Sequence, residues 1–262
     1  MEWFEAILLG LVQGLTEFLP VSSSGHLTIG KALLGVDVSN LKFEVVVHAA
    51  TVMSTLVVFR KDIFSLLRGL LKFKMNKETE YLFFIAVSMI PVFVVGMFFK
   101  EQVESIFGSG LLVVGISLII TAFLLFLTGI IKPSETKLTY GRAFLIGISQ
   151  AIAVLPGLSR SGATISTGML LGLKKEEIAK FSFLMVLVPV LGEAFLELIS
   201  GEFTAPSSEI SPLALALGFG AAFISGLFAC KVMIALVKRA KLLPFAIYCA
   251  IAGAICLLSL IF

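Results

Sequence analysis

The chain has 262 residues, 58% of them hydrophobic and 14% charged, with a formal net charge of +3 and a mean hydropathy of +1.08. Soluble domains hold about 45–50% apolar and about 25% charged residues, so a soluble globular fold is excluded and nucleic acid is not an expected partner. No polar tract is long enough to fold separately, and residues 1–262 read as a single integral membrane domain.

In chain order, MEWFEAILLG has acids where a signal peptide has Lys or Arg, and no small-residue cleavage site, so mature chain is expected there. The first apolar region, Trp3–Leu34, is interrupted by PVSSSGH. Spans are expected at Phe43–Phe59, Tyr81–Phe99 and Leu111–Ile131. A second broken region, Ala143–Leu173, is interrupted by PGLSRSGAT, and spans follow at Ile178–Ile199, Pro212–Val237 and Leu242–Phe262. Gly10/Gly14 and Gly168/Gly172 are expected at close helix packing. Cys230, Cys249 and Cys256 lie in apolar runs without metal-ligand spacing and are expected to act as small core hydrophobes.

Lys and Arg accumulate in cytoplasmic loops. Arg60, Lys61, Arg68, Lys72, Lys74 and Lys77 mark one loop as inside; Lys132, Lys137 and Arg142 mark a second, and Lys238, Arg239 and Lys241 a third. With Lys174 and Lys175 also inside, Ala143–Leu173 must enter and return on one side, as a re-entrant hairpin. Trp3–Leu34 then dips in from the outer face. The expected fold is an all-α polytopic membrane protein with an inverted-topology repeat, about 1–135 and about 136–262, each half one re-entrant hairpin and three transmembrane helices. GLVQGLTEFLPVSSSG and GISQAIAVLPGLSRSG support it: both have Gly, then Gln three later, then Leu-Pro, then a Ser/Gly cluster. Such repeats commonly bring broken helices together near the midplane, their termini aimed at an anion.

The polar residues at these breaks are the candidates for chemistry. Gln13 and Glu17 are i,i+4 on one face, and an acid at bilayer depth costs about 2.5–3.5 kcal/mol on insertion scales; the plainer alternative is a Glu that snorkels or bonds a neighbouring helix. Ser22, Ser23 and Ser24 suit a turn and cap, and His26 follows at once as a candidate base. In the second tip Arg160 stands between Ser159 and Ser161, with Thr164 beyond; a helix N-terminus and a planar guanidinium suit phosphate, and an ion pair with Glu17 is the plainer reading. Acid, imidazole, hydroxyls and guanidinium together suit phosphoryl transfer. Glu44/His48 and Glu193/Glu197, also i,i+4, are read as supporting or interfacial pairs, and the Arg60–Lys77 loop as a positive-inside signal with added anionic-lipid contact.

QGLTEFLPVSSSGH and LPGLSRSGAT resemble the two signature regions of the bacterial undecaprenyl-diphosphate phosphatase (bacitracin-resistance) family, in the same order and over essentially the whole chain. The resemblance implies a multi-pass inner-membrane enzyme that hydrolyses the C55 polyprenyl diphosphate to monophosphate and phosphate, recycling the carrier for cell-wall synthesis. It also implies dependence on a divalent cation, Mg²⁺ or Ca²⁺, and a site facing outward. It assigns Glu17 to the acidic motif, Ser22, Ser23 and His26 to the Ser/His turn, and Ser159, Arg160, Ser161 and Thr164 to phosphate binding. Gln13 stands where many members have Glu. On this reading Glu17, with Gln13 as a neutral oxygen donor, holds the metal, and Ser23 or a water attacks with His26 as base. Expected partners are the polyprenyl diphosphate, membrane lipids and, in a homodimer, a second copy of the chain, with the oligomeric state left open by the sequence. A polyprenyl-phosphate flippase using the same anion site is the alternative.

Overall fold

The computed structural model describes residues 1–36, 42–107, 110–130, 135–192, 210–239 and 242–261. Among them there is no strand, only an isolated bridge between Thr136 and Leu173. The first broken region forms α1 (Trp3–Phe18) and α2 (Ser23–Leu34). Pro20 lacks the amide a helix would need there. Ser22 then caps α2, accepting from the Gly25 N–H at 3.3 Å, and α2 ends at Gly35 in the left-handed region, φ 65°. The second broken region forms α8 (Tyr140–Ile152) and α9 (Arg160–Leu170), with Ser159 capping α9 through the Gly162 N–H.

Between them come α3 (Lys42–Val58), α4 (Arg60–Leu70), α5 (Lys77–Phe98), α6 (Lys100–Phe107) and α7 (Gly110–Ile130); after them, α10 (Lys175–Met185), α11 (Pro212–Arg239) and α12 (Leu243–Leu258). Among the described residues α5, α7 and α11 are each long and apolar enough to cross a membrane, and the α3–α4 pair, bent by 74°, counts as a fourth. Only 17% of the apolar window of α5 is buried inside the protein, and α7 turns Phe123 and Ile130 outward. An apolar lateral surface of this kind belongs in lipid.

Two expected spans are corrected. Ile178–Ile199 is not one helix: α10 stops at Met185, Val186 is a turn, and helical backbone resumes at 187–192. Pro189 is the reason, since it has no N–H for the Met185 carbonyl. Glu193 and Glu197 lie outside the described residues. Leu242–Phe262 is shorter than expected, at 16 helical residues. The bend at Phe59 falls where the apolar run gives way to Arg60 and Lys61, and Asp62 on α4 accepts from Lys180 on α10 at 2.5 Å.

Glycines fix the closest packing. A methyl at Gly10 would stand 2.4 Å from the Gly218 carbonyl oxygen, and one at Gly14 would stand 2.0 Å from Ser225 Oγ and 2.4 Å from the Ala222 carbonyl oxygen, so the backbones of α1 and α11 lie close together. Gly168 meets Ile178 in the same way. Gly172 does not pack a helix; its φ of 84° ends α9, with the Leu173 N–H reaching the Gly168 carbonyl. Cys230, Cys249 and Cys256 are free and buried, as core residues.

Candidate active site

The two tips meet. Ser24 Oγ accepts from the Gly157 N–H at 3.4 Å, and Ser161 Oγ donates to the Leu19 carbonyl at 3.2 Å. A side chain at Gly157 would run into Val114 Cα at 2.7 Å, and its φ of 85° suits glycine alone. Ser22 also holds a positive φ of 71°, a costly conformation for a residue with a Cβ and one that persists only where surroundings enforce it. Here its carbonyl takes two donors, the backbone N–H of His26 and the His26 Nδ1–H.

Glu17, at the end of α1, is the centre of the cluster. Its Oε1 accepts from Arg160 Nη2 at 2.5 Å, and its Oε2 accepts from Ser23 Oγ at 2.5 Å and Gln13 Nε2 at 2.9 Å. The i,i+4 spacing thus puts Gln13 on the acid. Gln13 is fully buried and its Oε1 has no partner. Such an oxygen costs free energy unless something supplies a positive charge or a proton.

The second tip brings the guanidinium and a helix N-terminus. Arg160 and Ser161 open α9, where the first-turn amides have no intrahelical acceptor. Ser159 is held by its N–H on Thr121 Oγ1 at 3.0 Å, and Thr164 is bonded to Ser182, 2.7 Å between hydroxyls. Ser22, Ser159, Ser161 and Thr164 are all buried. Beside the ion pair a pocket opens, polar at Glu17, Arg160 and Thr51 and apolar at Phe183 and Val190.

Not everything expected to meet does so. Ser23 bonds Glu17, whereas His26 bonds Ser22 and, through Nε2, the hydroxyl of Tyr248 at 2.6 Å. Glu44 pairs with Lys31 rather than His48; His48 donates to the Glu44 carbonyl and sets its Nε2 3.8 Å from Glu17 Oε2. Thr121, Tyr248 and His48's approach to Glu17 escaped sequence reasoning. Tyr248 is 222 positions from its partner and sits in an ordinary apolar run, so nothing local signals it.

The profile of the bacitracin resistance protein BacA family matches residues 6–255. The chain belongs to the BacA family. Among curated relatives it is 57% identical over 260 residues to an undecaprenyl-diphosphatase of Bacteroides fragilis, with 97% of each chain covered. It is 58% identical over 258 residues to one of Parabacteroides distasonis, covering 97% of this chain and 96% of the relative. A more distant relative, the undecaprenyl-diphosphatase of Korarchaeum cryptofilum, is 40% identical over 271 aligned positions, with both chains covered in full.

Proposed function

We infer that the chain is a membrane undecaprenyl-diphosphatase, releasing phosphate from the lipid diphosphate and returning undecaprenyl phosphate to cell-wall synthesis, with bacitracin resistance as a consequence. The observation that carries this is one carboxylate, Glu17, held between the Arg160 guanidinium at the N-terminus of α9 and the Ser23 hydroxyl at the N-terminus of α2, in a chain whose family relatives carry that activity in their names.

The chemistry follows from these contacts. An incoming diphosphate competes with Glu17 for Arg160, and the first-turn amides of α9 take its remaining oxygens. Freed of the guanidinium, Glu17 lies within reach of the Ser23 hydroxyl proton, and His26, one turn further along α2, is the second acid–base group of the site. Ser23, or a water in its place, attacks the terminal phosphorus and gives its proton to Glu17. The bond from phosphorus to the bridging oxygen breaks, and undecaprenyl phosphate leaves with that electron pair; where Ser23 has attacked, Glu17 loses its proton to solvent, takes one from a water that attacks the phosphoserine and breaks its P–Oγ bond, and returns it to Oγ as inorganic phosphate leaves. Positioning and charge stabilisation carry such reactions.

A hard divalent cation, Mg²⁺ or Ca²⁺, fits the donors present. Glu17 and the unpartnered Gln13 Oε1 are the oxygen ligands that would hold it. When bound, the cation neutralises diphosphate charge.

The fold is read as an inverted repeat with the site open to the outer leaflet of the inner membrane. Its support is exchange of contacts between halves: α1 packs on α11 as α8 packs on α5, and α3 touches α11 as α10 touches α5. Gly147, the counterpart of Gly10, meets the Ser88 carbonyl as Gly10 meets that of Gly218. Gln150, the counterpart of Gln13, is likewise buried with an unpartnered Oε1. The basic residues about α4 support a cytoplasmic position for that end, with the prenyl tail kept in lipid. Purified protein given polyprenyl diphosphate with and without EDTA tests the function. Metal-dependent phosphate release supports it; transbilayer movement of the lipid without phosphate release replaces it with a flippase.

A further inference from the structure

Tyr248 is a polar side chain near the site that the chemistry above leaves without a task. It lies on α12 among the outward-facing Ile247, Ile251 and Ile255, and is itself 47% exposed. Its ring stacks on His26, with centroids 5.5 Å apart and planes 11° apart, and its hydroxyl lies 2.6 Å from His26 Nε2. The other ring nitrogen is already committed. Nδ1 lies 2.7 Å from the Ser22 carbonyl, which can only accept, so Nδ1 carries a hydrogen. In the neutral imidazole Nε2 is then the acceptor, and the Tyr248 hydroxyl donates to it.

The imidazole is therefore held at both nitrogens, by the carbonyl of a strained residue at Nδ1 and at Nε2 by a phenol whose ring lies nearly parallel to its own. Fixing both nitrogens sets tautomer and orientation together. The neighbours on α2 do not share this arrangement. Ser23 turns to Glu17 and Ser24 to Gly157, so His26 is the member of the Ser/His turn that looks outward, along the seam between α2 and α12. A phenol facing lipid needs a polar partner in any case, and the test below separates that bland role from a functional one.

We propose that Tyr248 is a positioning residue of the phosphatase site: its hydroxyl holds His26 in a single tautomer and orientation, with Nε2 facing the lateral seam where the head group passes from lipid to the tips. The proposal rests on the phosphatase reading and adds a residue that neither signature region contains. No covalent step is assigned to Tyr248; it acts through His26.

Tyr248→Phe keeps the stacked ring and removes only the donor. In detergent or nanodiscs with polyprenyl diphosphate, this variant is expected to lose about tenfold in kcat with KM within about twofold, as for loss of an orienting contact to a general acid–base group. In a His26→Gln background the same change should cost nothing further. The chain has two histidines, so ¹⁵N-histidine labelling gives two imidazoles to follow; Tyr248→Phe should move the ring signals of His26 and leave those of His48 in place. Unchanged kcat with unchanged ring signals overturns the proposal, and so does an equal loss with and without His26, which marks Tyr248 as structural. A wild-type protein that releases no phosphate defeats the phosphatase reading instead, and the imidazole signals still report on the His26–Tyr248 contact.

Discussion

Arg160 Nη2 lies 2.5 Å from Glu17 Oε1, joining residues 143 positions apart. The pair closes the two tips on each other, and the side chains remain 27% and 10% exposed, so an anion can reach the guanidinium. Arg160→Lys keeps the charge and loses the planar fork. A loss of a few kcal/mol in transition-state binding is about a hundredfold in rate. We expect at least that loss in phosphate release, with the melting temperature in detergent close to wild type. Near-wild-type turnover would remove Arg160 from the phosphate clamp.

Gln13 donates to Glu17 and leaves its own oxygen unpartnered. Gln13→Glu would bring a second carboxylate to that contact, which a cation can bridge and which repels without one. The variant should remain active and show tighter dependence on Mg²⁺ concentration, while Glu17→Gln should abolish the Mg²⁺ response. Identical Mg²⁺ titrations for wild type and Gln13→Glu would show that Gln13 only packs.

The expected outer-face opening is checked at Ser24, a half-buried position where the tips meet. With Cys230, Cys249 and Cys256 replaced, Ser24→Cys should react with an impermeant maleimide added to spheroplasts, and excess diphosphate substrate should protect it. Reaction only in inverted vesicles would reverse the topology without touching the chemistry.

Gly14 has no room for a methyl, whereas Gly129 on α7 has nothing within 4 Å of one. Overpacking of this kind costs about 1–3 kcal/mol, while Ala in place of Gly at an open helical position gains about 0.8–1.0 kcal/mol. Thermal unfolding in detergent should show Gly14→Ala clearly below wild type and Gly129→Ala equal to it or above. Equal stability of the two variants would mean that α1 and α11 can separate slightly at no cost.

The sequence by itself determined whatever depends on neighbouring residues. Apolar runs against basic loops gave a polytopic α-helical chain, Pro20 and the Ser/Gly clusters gave two broken regions, and 3.6-residue periodicity placed Gln13 beside Glu17. It also located both tips, because burying so many polar groups in so apolar a chain calls for a reason. Local signals misjudged Ile178–Ile199, where hydropathy averages over Pro189, and Gly172, whose role is a matter of φ and not of spacing.

Only the tertiary structure decided which polar groups are partners. Helix packing, set by Gly10 and Gly14 against α11, carries Glu17 to Arg160 and gives Ser23 to the carboxylate. It also brings Tyr248 on α12 to His26. Each of these hydrogen bonds needs heavy atoms within about 3 Å, while a one-residue turn of a helix swings a side chain by about 100°. A chain that lists acid, hydroxyl, imidazole and guanidinium within two short motifs is therefore compatible with several pairings, and the packing of whole helices selects one.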